Sequence, residues 1–228
     1  MQVGLAAQAA APARRYVRNR QTRRSAPMRC RAYALYSALL ASPHEHEFTD
    51  LQADDIDTGE MRLYGMDLGD LANDYLNIGQ RVRMHDFSAL FEVGDSGPPV
   101  TLREQQRFTG ASGIREELVR FYDFFGYVLD ERCAWAPDHL SVMLEFVHFL
   151  CFRESTARRD LLSFQLAQLD FASRHLVHWT SALADEIKVM RPDSIYVEIA
   201  RSLHTFLAHD HQWQMSTVFT TNESSRHG

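Results

Sequence analysis

From Arg31 to His209 the large apolar residues return every three or four positions, and that period commits the chain to helices packed on one another. Tyr36, Leu39 and Leu40 share one side of a segment Arg31–Ala41 that ends at Ser42-Pro43. Tyr64, Leu68, Leu71, Tyr75 and Ile78 follow at helical steps, as do Leu118, Tyr122, Phe125 and Leu129 within Arg115–Leu129. Pro137-Asp138 opens the next segment, with Leu140, Leu144, Val147 and Cys151 in register. Proline loses no needed donor in a first turn, and an acid there faces the positive helix end. One long helix is expected through Leu169, Ala172, Leu176, Trp179 and Leu183, and a last one from about Ser194 to His209. No alternating segment is long enough to build a sheet, since Val218–Thr221 is too short. The expected fold is all-α, a single helical bundle over 31–212 with a flexible tail at 213–228. Gly94, Gly97, Pro98, Pro99, Gly110 and Gly113 make residues 92–113 a hinge loop between two helical blocks. A hinge there permits exchange of halves between two copies, so a homodimer stays open.

Charge divides the chain sharply. Eight of its 24 basic residues lie in residues 1–31, with no acid among them. That leaves 16 basic groups against 30 acidic ones, a net charge of −14, on the remainder. Residues 1–30 are therefore expected to form a basic, disordered arm on an acidic body. The body's charge argues against nucleic acid as a partner, because it repels phosphate. Arg14-Arg15 lacks an apolar sequel and is not expected to act as an export signal, and the arm also reads as an extension upstream of Met28. No run of about 18 apolar residues exists to span a membrane. Cys30, Cys133 and Cys151 are odd in number and lack CxxC spacing, which fits thiols in a reducing cytoplasm.

No GxSxG, P-loop or catalytic cysteine signature is present. Among the eleven histidines, His44 and His46 sit in a loop. His175 and His178 stand i, i+3 on a helix without a flanking carboxylate in sequence. His209-Asp210-His211, with His204 nearby, is the best metal-like group, yet a closed zinc site wants four ligands. A metal-dependent helical-bundle enzyme using these C-terminal histidines is the alternative reading.

Two segments stand out together: LFEVGDSGPP at 90–99 and APDHLSVMLEFVHFL at 136–150. With EELVRFYDFFGYVLDE at 116–131 and FASRHLVHW at 171–179, they resemble the TorD/DmsD/NarJ family of redox-enzyme maturation chaperones. The pattern is most similar to the assembly chaperones of type II dimethyl sulfoxide (DMSO) reductase-family molybdoenzymes, over roughly residues 31–210. Where that family carries a small aromatic or serine-containing stretch after the double proline, this chain has Val100–Glu104. The resemblance implies an all-helical cytoplasmic protein without catalytic activity or cofactor. Its partner would be a molybdoenzyme catalytic-subunit precursor, bound through its twin-arginine leader, held for molybdenum cofactor insertion and withheld from premature export. It also implies a peptide site at Pro137, Asp138 and His139, with Asp138 facing a leader arginine and Leu90, Phe91, Tyr122 and Phe125 as apolar walls. An exposed ion pair contributes only about 0–1 kcal/mol, and micromolar binding needs about 8 kcal/mol. The apolar part of such a leader must therefore dominate affinity.

Overall fold

The computed structural model describes residues 20–45, 62–95, 97–108, 112–130 and 136–224. The arm at 1–19, most of the acidic stretch after His44, Cys133 and the last four residues lie outside these. The described residues are all-α apart from one small hairpin. The helices are α1 Thr22–Leu40, α2 Leu68–Asn77, α3 Gln80–Phe91, the single turn α4 Glu104–Arg107, α5 Ile114–Phe125, α6 Leu140–Thr156, α7 Leu161–His175, α8 Val177–Met190 and α9 Ile195–Ser224. Helix α6 sits at the centre because it is apolar nearly all round: Leu140, Val142, Met143, Leu144, Phe146, Val147, Leu150 and Cys151 are all buried. It packs chiefly against α1 on one side and α7 on another, while α8 lies along α9.

Several boundaries differ from those the periodicity predicts. Tyr64 is not helical. It stands with Gly65 in the turn of a hairpin, β1 Arg62–Leu63 paired with β2 Met66–Asp67, and both turn residues have positive φ, the conformation favoured by a tight hairpin. Asp67 then starts α2 by accepting from the amides of Gly69 and Asp70. Arg83 of α3 donates to the carbonyls of Tyr75, Leu76 and Ile78, which satisfies the end of α2 and folds the next helix back upon it. The single helix expected across 169–183 is two helices that meet at Leu176, where the Trp179 indole takes the His175 carbonyl at 2.7 Å.

The largest corrections are at the ends. Helix α1 begins at Thr22 rather than Arg31, with Pro27 inside it, so residues 22–30 belong to the body and not to an arm. Helix α9 runs past His209 to Ser224, through much of the stretch expected to be a tail. Both extensions rest on buried charge. Arg29 is fully buried, and its guanidinium grips both oxygens of Asp210 and reaches Glu154 at 3.3 Å. Glu154 also takes two bonds of 2.8 Å from Arg20 and one each from Gln165 and Gln168. Asp210 accepts from Tyr33, Tyr64 and Gln214. Beyond Asp210, Trp213 lies under the guanidinium groups of Arg20 and Arg29 at 4.7 and 5.2 Å. Burial by itself would raise the Asp210 and Glu154 pKa values, but the arginines beside them hold both below the ordinary carboxylate range.

Asp210→Ala, which strands Arg29 in the core, is expected to destabilise the protein by about 3–5 kcal/mol. The paired change Arg29→Met with Asp210→Leu should recover much of that loss. Urea denaturation of the three proteins measures both effects.

Candidate functional site

The Gly/Pro-rich stretch is stitched to the body by backbone hydrogen bonds. A Cβ on Gly94 would collide with the carbonyl of Gly97, and Gly97 itself has φ +114°, so both positions require glycine for the chain to double back. From Pro98 to Arg103 the chain then runs as a non-helical strap. The Val100 amide donates to Leu90 (2.9 Å), Leu140 to the Leu102 carbonyl (2.8 Å) and Glu104 to the Asp138 carbonyl (3.0 Å). Val100, Leu102 and Glu104 are buried beneath it. The two segments singled out in the sequence, 90–99 and 136–150, are thereby brought side by side.

Pro137, Asp138 and His139 form the knot between them. Asp138 is 1% exposed, and its carboxylate accepts from Arg103 at 3.1 and 3.3 Å and from the Gln105 amide at 3.3 Å. The Arg115 guanidinium lies 3.6 Å away. The carboxylate thus faces inward with its charge already met, and it offers no open face to an incoming arginine. The Pro137 carbonyl accepts from the Tyr122 hydroxyl at 2.7 Å. His139 caps α6 by accepting from the Ser141 amide at 3.3 Å. Burial, then the charge of Arg103, depress its pKa from 6.5 to about 4, which keeps the cap neutral and able to accept.

The expected wall residues divide. Leu90 and Tyr122 are core, at 0% and 1% exposure. Phe91 and His139 line a small cavity of about 160 Å³, together with Phe87, Glu92, Arg103 and Glu45. Phe125 lines a much larger groove of about 1170 Å³ between α5, α7 and α9. That groove presents Phe121, Phe124, Leu166 and Met215, with Phe124 78% exposed, and carries Glu117 and Asp170 on its rim. The knot connects to both. Arg103 belongs to the small cavity, and Arg115 begins the helix whose later turns, at Glu117, Phe121 and Phe125, form one wall of the groove.

Among the described residues the histidines do not assemble a metal centre. Asp210 is committed to Arg29, His211 opens on the groove, and no group of three or more His, Cys, Asp or Glu among the described residues could hold a metal ion. His175 instead meets buried Glu104 at 3.0 Å, with the His178 Nε2 3.8 Å from the same carboxylate. Glu104, Arg103 and Glu92 are the site-shaping residues that periodicity missed. The sequence signal for the first two was their place in the strap that follows the double proline.

Residues 64–185 match the family model described as nitrate reductase delta subunit. The chain is 37% identical over 123 residues to the selenate reductase assembly chaperone protein of Thauera selenatis, covering 52% of this chain and 63% of that protein. It is 38% identical over 107 residues to the chlorate reductase assembly chaperone protein of Ideonella dechloratans, covering 45% and 55%. It is 32% identical over 123 residues to the perchlorate reductase assembly chaperone protein of Dechloromonas aromatica, covering 50% and 55%. The matches thus span 55–63% of the relatives' length. A crystal structure of a candidate redox enzyme maturation protein from Archaeoglobus fulgidus superposes with a TM-score of 0.50 at 16% identity, covering 85% of this chain and 97% of that one. That likeness is one of fold.

Two outcomes follow from the knot. Asp138→Asn should cost about 1.5–3 kcal/mol of stability, because it weakens charged hydrogen bonds in a buried place. A shift in the denaturation midpoint reads it. The unfolded state binds a proton at His139 between pH 6.5 and about 4 while the folded state does not, so stability should fall as pH drops through that window. His139→Asn, which keeps an acceptor at the cap without a titrating ring, should flatten that part of the pH profile.

Proposed function

This chain belongs to the nitrate reductase delta subunit family, and we propose that it is an assembly chaperone for the catalytic subunit of a molybdoenzyme, working without catalysis of its own. The client is the precursor of a type II DMSO reductase-family enzyme, in keeping with the selenate, chlorate and perchlorate reductase chaperones it resembles. The chaperone holds the apo subunit in the cytoplasm through its twin-arginine leader, keeps it open for molybdenum cofactor insertion and delays its export.

The observation that carries this reading is the apolar groove between α5, α7 and α9. A groove of about 1170 Å³ lined by Phe121, Phe124, Phe125, Leu166 and Met215 suits an apolar helix laid along it. Each 100 Å² of apolar surface covered contributes about 2.5 kcal/mol before the cost of association, so apolar burial supplies the larger share of the roughly 8 kcal/mol of micromolar binding. Residues 20–228 hold 21 basic groups against 30 acidic ones, and this net charge of −9 draws an arginine-bearing leader toward the body and speeds the encounter. Pro137, Asp138 and His139 serve this site from beneath, by fixing the start of α6 and the position of α5. No helix among the described residues is long and apolar enough to cross a membrane.

Calorimetric titration with a synthetic peptide carrying a twin-arginine leader, and with the full apo precursor of a molybdoenzyme catalytic subunit, tests the proposal. Dissociation constants at or below about the micromolar range are expected. Phe124→Glu, which places a charge on the exposed groove wall, should weaken leader binding at least tenfold with little change in stability. Absence of binding by both leader and precursor would sink the reading.

A further inference from the structure

We infer that the small cavity beside the knot is a receptor for one arginine side chain of the bound peptide, with Glu92 as the carboxylate that receives its guanidinium. This rests on the chaperone reading above and assigns the charged contact to a different residue from the Asp138 that sequence resemblance suggests.

Glu92 stands at the end of α3, on the wall of the 160 Å³ cavity. Its two oxygens are held separately: Ser42 donates to one at 3.0 Å and Ser88 to the other at 2.7 Å. Ser88 is itself bonded to the His44 ring at 2.7 Å. The carboxylate is thus oriented by neutral hydroxyls, while each oxygen retains further acceptor capacity. No arginine or lysine pairs with Glu92 among the described residues; the nearest basic group is the His44 ring nitrogen at 3.8 Å. Asp138 contrasts with it, since Arg103 and Arg115 face that carboxylate. Arg103, the one arginine on the cavity wall, is turned to Asp138.

The cavity's size and lining select the ligand. It is well below the about 300–1,000 Å³ of pockets that enclose a drug-sized molecule, but it has room for one long side chain. Phe87 and Phe91 offer aromatic walls against which a planar cation packs, and Glu45 adds a second carboxylate at the side. A guanidinium matches a carboxylate with two parallel hydrogen bonds, which an ammonium cannot reproduce.

The test uses two synthetic peptides: one with adjacent arginines ahead of an apolar segment, and one with both arginines replaced by citrulline, which keeps the shape and removes the charge. Each is titrated into the full-length protein and into Glu92→Gln, with thermal unfolding to check that the variant is folded. The wild type should bind the arginine peptide about tenfold tighter than the citrulline peptide. In Glu92→Gln that gap should close to about twofold or less, the citrulline peptide binding both proteins alike. A gap that persists in Glu92→Gln overturns the assignment and leaves the chaperone reading standing, as does a wild type that binds both peptides equally. If the wild type binds neither peptide nor precursor, both inferences fall together.

Discussion

A single buried guanidinium ties the first helix of the bundle to its centre and to its last helix. Arg29 on α1 lies between Asp210 on α9 and Glu154 on α6, and Arg20, Tyr33, Tyr64, Gln165, Gln168 and Gln214 complete the shell. Such a cluster adds little net stability over an apolar core of the same volume, because burying the charges costs about what their pairing returns. Its effect is on specificity. Helices α1, α6, α7 and α9 could slide past one another on apolar contacts alone, whereas a slip here would pull buried polar groups away from the partners that satisfy them.

The candidate site depends on a second polar assembly of the same kind. Asp138 gathers Arg103 from the strap and Arg115 from α5 at the point where α6 starts. Tyr122 adds its hydrogen bond to Pro137, and His139 closes the first turn of α6. The small polar cavity and the broad apolar groove are shaped by elements fixed at this one place. An Asp-His pair at a helix start acts here as a joint between two cavities, with neither residue standing out in solvent.

The helical class and the central helix were legible because period and amphipathicity report on burial directly. The seven residues 140, 142, 143, 144, 146, 147 and 150 of α6 are apolar and all lie in the core. The ends of the bundle were illegible for the same reason: Arg29 and Asp210 are buried charges, and a reading keyed to apolar residues places charges outside. Tyr64 shows another limit. It falls in helical register with Leu68, Leu71 and Tyr75, yet its register is coincidental, because the residue is a turn tyrosine held by Asp210. At the site, proximity of the 90–99 and 136–150 segments could be anticipated from their resemblance to a family. The inward orientation of Asp138 could not, since it depends on Arg103 and Arg115, which lie 35 and 23 positions upstream.

The contact between Arg20 and Thr217 sets the residues just ahead of α1 against the later turns of α9, with the guanidinium 3.4 Å from the threonine hydroxyl. Fluorophores placed at exposed Gln21 and Ser216, the sequence neighbours of this contact, would start close together. Their separation would then report fraying of α1 from α9 without touching either cavity.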